Sequence, residues 1–120
     1  MTDTKDPADR EIRLAFCKLH ILHHAERAPI YGLWMMRELE EHGHRLSPGT
    51  LYPLLSRLEG NGWLSVQEGE RAKARRAYRI TPAGRRLMRK LRAEVTELYR
   101  ELVLGEEPTH DEPKNRRRTR

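Results

Sequence analysis

The chain has 120 residues, 37% hydrophobic against 35% charged, with a formal net charge of +6 and a pI near 9.9. That length supports one small domain with a modest core and excludes two, and apolar area is scarce enough that a surface shared with another subunit is expected. A single cysteine excludes a disulfide framework and fits a reducing compartment. No apolar run approaches the roughly 20 residues of a membrane span, and the opening MTDTKDPADR has no signal-peptide character. A soluble, cytoplasmic protein is expected.

Residues 1–9 are polar and expected to be disordered. A first helix is predicted from Arg10 to about Arg27. Ile12, Ala15, Phe16, Leu19 and Leu22 share one face, and Leu14, Cys17 and Ile21 form a second apolar strip, so cover on two sides is expected. Ala28-Pro29 ends it. A second helix is predicted from about Ile30 to His42, with Tyr31, Met35 and Leu39 in register and Gly43 as its stop. Trp34, Met35 and Met36 read as packing residues, with an adaptable ligand surface as the alternative.

The third helix opens at Ser47, an N-cap residue type, with Pro48 at the first helical position. Leu51, Leu54, Leu55 and Leu58 fall at i, i+3, i+4 and i+7, a single apolar stripe. The opposite face carries Gly49, Thr50, Tyr52, Pro53, Ser56 and Arg57, small, hydroxyl-rich and neutral to basic, which suits entry into a DNA groove. Pro53 is costly in a helix interior. Either the helix starts at Thr50, so that Pro53 lies in its first turn, or Gly49 relaxes the crowding; the sequence leaves both open.

Beyond Gly60 and Gly62 the period changes to two, at Leu64 and Val66 and again at Tyr78 and Ile80. Trp63 reads as the hinge into the first of these runs. The segment between them holds Arg71, Lys73, Arg75 and Arg76. From Arg71 to Ala93 there are ten basic residues and no acid, a density that either faces solvent or meets a polyanion. Three helices followed by two strands and a basic tip predict a mainly α chain with a small β-hairpin wing, a winged helix-turn-helix. Thr81-Pro82 then starts a long helix whose seam is Leu87, Met88, Leu91, Val95, Leu98, Tyr99 and Leu102. The resulting layout is a winged helix-turn-helix DNA-binding domain over residues 10–81, a long helix over 82–105 whose seam the small domain cannot cover alone, and a disordered basic tail over 106–120.

The run Gly49-Thr50-Leu51-Tyr52-Pro53-Leu54-Leu55, followed by Arg57-Leu58-Glu59 and Gly62, resembles the third helix of the PadR family of bacterial transcriptional regulators. Tyr31-Gly32, Tyr78-Arg79-Ile80-Thr81 and Gly84 fit the same pattern in order and spacing. The resemblance spans roughly Ile12 to Leu104. It implies a short-form homodimer clasped through its last helix, a repressor of a neighbouring operon that releases DNA when a small aromatic or lipophilic effector binds. It also implies an effector pocket where first and last helices of two subunits meet, with Phe16, Met88, Leu91 and Val95 as candidates, although dimer core is the stronger reading of those four. The last helix lacks the tryptophan with which some short-form members stack planar drugs, a departure from that style of binding.

With the dimer that the resemblance implies, the third helix would read an inverted-repeat operator through Thr50, Tyr52, Ser56 and Arg57, with Arg71, Lys73, Arg75 and Arg76 on the backbone or minor groove. Two other readings stand beside it. Cys17, His20 and His24, at i, i+3 and i+7, have a spacing that could bind zinc or copper or sense redox state, against a helix edge that merely contains histidines. A winged helix that binds protein or RNA is the other. No enzyme motif is present, and no cofactor is expected.

Overall fold

The computed structural model describes residues 7–67 and 75–106. Its elements in order are α1 (Pro7–Arg27), β1 (Ile30–Tyr31), α2 (Gly32–Glu41), α3 (Pro48–Gly60), β2 (Leu64–Val66), β3 (Ala77–Ile80) and α4 (Pro82–Leu102). These residues fall into two compact units divided between Met88 and Arg89.

The first unit is organised by the leucine stripe of α3. Leu51, Leu54, Leu55 and Leu58 are all at most 2% exposed, and they share the core with Cys17, Ile21, Met35, Leu39, Leu64 and Tyr78. Burial of this kind contributes about 1.5–3 kcal/mol per large aliphatic side chain. Of the two apolar strips on α1, the one through Cys17, Ile21 and Ala25 faces inward together with Leu22, whereas Ile12 and Phe16 are 62% and 53% exposed. Among the described residues the strip through Ile12 and Phe16 is therefore left open where cover was expected, and α1 begins at Pro7, three residues before the expected Arg10.

The sheet has three strands where two were expected, in the antiparallel order β1-β3-β2. Ile30 and Tyr31, assigned from sequence to the second helix, instead pair with Tyr78 and Ala77. Leu64, Ser65 and Val66 pair with Ile80, Arg79 and Tyr78. With Tyr31 extended in front of it, α2 starts at Gly32.

The Pro53 question resolves toward an early start. The Ser47 carbonyl accepts from the amides of Thr50 and Leu51 at 3.0 and 2.9 Å, so the helix begins at Pro48 and Thr50 lies inside it. Pro53 is thus a true interior proline. The carbonyl it leaves without a donor is that of Gly49, and both residues are exposed, so water can satisfy the group.

Thr81 fastens the start of α4 to the turn after α3. Its hydroxyl accepts from the Gly84 amide at 3.0 Å, capping the helix, and donates to the Gly62 carbonyl at 2.6 Å. Its own amide donates to the Trp63 carbonyl at 3.1 Å. Gly84 meets that same turn so closely that a Cβ there would collide with the Trp63 carbonyl oxygen and the Ile80 side chain.

Candidate nucleic-acid interface

Because α3 turns all four leucines inward, the opposite face of the helix is set outward by helical geometry. Ser47, Gly49, Pro53, Ser56 and Arg57 are exposed and Thr50 is half-buried. Arg57 lies in the last turn, where the helix dipole favours a cation. Ser47 occupies the N-cap position by backbone geometry, but its hydroxyl does not cap an amide. It donates instead to Thr50 Oγ1 at 3.4 Å. The same Thr50 oxygen accepts from Arg10 Nη2 at 3.3 Å, a contact from α1 that no local pattern announces.

Tyr52 departs from the expected free face. Its ring packs against Gly32 at the start of α2, where a Cβ would clash with it. Burial, and secondarily the nearby Tyr78 hydroxyl, push its phenol above the usual range. It sets the spacing between α2 and α3 as much as it presents a surface.

In the predicted wing, Arg75 is exposed and Arg76 half-buried, both just ahead of β3, while Arg71 and Lys73 lie outside the described residues. On α4, Val95, Leu98, Tyr99 and Leu102 are 44–74% exposed, and Leu87 and Leu91 are half-buried. Met88 differs: at 5% exposure it belongs to the core, so it is unavailable both to a partner subunit and to an effector. None of the residues proposed for an effector pocket lines the cavity of about 420 Å³ bounded by His24, Arg27, Ala28, Pro29, Ile30, Tyr31 and Trp34.

The expected Cys17, His20 and His24 face is not a common one. Cys17 is wholly buried, and burial raises its thiol to about 11, which disfavours the thiolate that metal binding and redox sensing need. Among the described residues no group of three or more such ligands is arranged to hold a metal. The histidines have other neighbours. His20 stacks on His42 at 4.7 Å and meets His44 at 5.6 Å between ring centres, while His24 and His42 both approach Glu38, at 3.5 and 3.2 Å. The cluster ties α1 to α2 and to the turn before α3.

This packing has a pH consequence. Burial holds His20, His24 and His44 below the ordinary imidazole range, with neighbouring positive charge adding to the effect; at His24 the Glu38 carboxylate opposes it. Below a pH of about 6.5 the unfolded chain takes up protons that the folded chain resists, so stability is complete above that value and falls as pH drops. Thermal melts between pH 7.5 and 5 should show this decline, and His20→Gln should flatten it.

The helix α1, the α2–α3 pair of a helix-turn-helix and the three-stranded antiparallel sheet together define a winged helix. A family model described as the transcriptional regulator PadR-like family matches residues 21–90. The chain is 48% identical over 101 residues to the transcriptional regulator Rv3488 of Mycobacterium tuberculosis, covering 83% of this chain and 94% of that one. A PadR-like transcription factor from Bacteroides fragilis superposes with a TM-score of 0.66 at 27% identity, over 81% of this chain and 96% of the other. A PadR family regulator from Eggerthella lenta gives 0.62 at 34% identity, over 73% and 79%. The chain belongs to the PadR-like family of transcriptional regulators. It is therefore not an enzyme, and among its described residues no helix is long and apolar enough to cross a membrane.

Proposed function

We propose that the protein is a repressor that binds an inverted-repeat operator as a homodimer and is released by a small aromatic or lipophilic effector. The observation that carries the DNA half of this reading is the division of α3. Its leucines are at most 2% exposed, while Ser47, Gly49, Ser56 and Arg57 face outward, a small polar surface on a helix that a major groove can admit. Arg57 either bonds a guanine edge in two-pronged fashion or holds a phosphate, and the basic segment from Arg71 to Arg76 supplies backbone contacts. The dimer half rests on Val95, Leu98, Tyr99 and Leu102, apolar side chains left open along α4 at a density that solvent disfavours. Half-sites should then lie about one helical turn apart. For the effector, Trp34 and Tyr31 wall an apolar cavity of suitable size.

Footprinting on the DNA upstream of the chain's own coding region tests the reading: protection of an inverted repeat supports it, and no protection opposes it. With about six phosphates neutralised, log affinity should fall against log salt with a slope near −5. Lys73→Ala or Arg75→Ala should weaken binding to all sequences alike, whereas Arg57→Ala should change which sequence is preferred. A flat salt response would remove the electrostatic contribution.

A further inference from the structure

We propose that Arg10 is a positioning residue that sets sequence preference, acting through Thr50 by fixing the Thr50 hydroxyl as a hydrogen-bond donor toward DNA. The inference rests on the reading of α3 as the helix that enters the groove. A guanidinium has donors only, so the 3.3 Å contact from Arg10 Nη2 occupies a lone pair of Thr50 Oγ1. Ser47 Oγ, donating from 3.4 Å at the N-cap of α3, occupies the other. A hydroxyl oxygen has two lone pairs and one proton. What Thr50 has left to offer is its O–H.

That selects a class of partner. In the major groove the O–H can be accepted by N7 or O6 of guanine, N7 of adenine or O4 of thymine, and it cannot serve the amino groups of adenine or cytosine. A hydroxyl free to rotate would serve either kind, which is why serine and threonine alone discriminate poorly. Here the discrimination comes from α1, forty positions away in the chain.

Folding alone does not account for Arg10. Among the described residues its Nε is buried without a hydrogen-bond partner, an arrangement that proteins mostly avoid. Its charge also sits beside the amino end of α3, where the helix dipole disfavours a cation.

The test is selection of binding sites from random duplexes by the full chain and by Arg10→Ala, Arg10→Lys, Thr50→Val and the Arg10→Ala/Thr50→Val pair, with thermal melts to confirm folding of each. Wild-type sites should carry one position per half-site that requires an acceptor edge. Arg10→Ala and Thr50→Val should each lose roughly tenfold discrimination there, the size of one hydrogen bond, with other positions unchanged and the pair no worse than either single variant. Arg10→Lys, again a pure donor, should restore part of the preference. A wild-type motif that Arg10→Ala leaves intact, or losses that multiply in the pair, would overturn the proposal alone. Wild-type protein that selects no sequence would overturn the DNA reading of α3 and this proposal with it.

Discussion

Gly84→Ala should lower the stability of the protein by about 3 kcal/mol, the upper part of the range for overpacked sites, and reduce the melting temperature by roughly 12–24 °C. The added methyl would meet the carbonyl oxygen of Trp63, which is backbone, and Ile80 Cδ1 at 2.8 Å. The carbonyl cannot swing aside as a surface side chain would. The carbonyl belongs to the turn that Thr81 grips through its amide, and its hydroxyl reaches the adjacent Gly62. The methyl therefore strains the joint between the end of α3 and the start of α4, so DNA affinity should fall along with stability. Gly60→Ala is the control: nothing lies within 4 Å of a Cβ there, and a glycine exchanged for alanine in a helix should be neutral or slightly stabilising. Chemical denaturation of the two variants beside wild type measures the difference.

The paired substitution Leu98→Asp and Leu102→Asp should leave each chain folded but reduce operator affinity by about 100-fold or more. Both side chains are already exposed, at 54% and 74%, so the folded monomer loses little. A dimer seam would lose much more, because two carboxylates per subunit would be buried or brought together. Two half-sites held by one dimer bind as a linked pair, with an avidity of roughly 10²–10⁴ over a single contact. Sedimentation and titration of a labelled inverted repeat give both numbers. Unchanged sedimentation together with unchanged affinity would remove α4 from the assembly.

The features legible in the sequence are those whose signal is local. The four-leucine stripe of α3, the Thr81-Pro82 start of α4 and the alternation at Leu64–Val66 and Tyr78–Ile80 each carry a period or a cap within a few residues, and two helices and two strands follow from them. The losses came where a distant partner decides. Ile30 and Tyr31 have no period of their own and become a strand only because β3 pairs with them. On α1 the strips through Phe16 and through Cys17 are comparably apolar, and only tertiary packing chooses which is core. Met88 fits the α4 seam by spacing, yet it falls on the first unit's side of the division and is buried there.

Within the candidate interface, Ser47, Gly49, Ser56 and Arg57 were legible because burying the leucines leaves them no other direction. Tyr52 was misread as a free face because Gly32, which receives its ring, is twenty positions earlier. Arg10 was missed for the same reason at twice the distance. The histidine-rich stretch of α1 drew attention to Cys17, while the neighbours that matter, His42 and His44, come from the far end of α2 and the turn beyond it.

The central claim is that α3 lies in the major groove, twice per operator. Ser56→Cys, labelled with an iron chelate that cleaves nearby DNA, tests it directly, because Ser56 is exposed and the native Cys17 is buried beyond reach of the reagent. The account predicts two groups of cuts, one in each half-site, about one helical turn apart and centred on the major groove. A single group of cuts, cuts confined to the minor groove, or cleavage spread evenly along the duplex would contradict it.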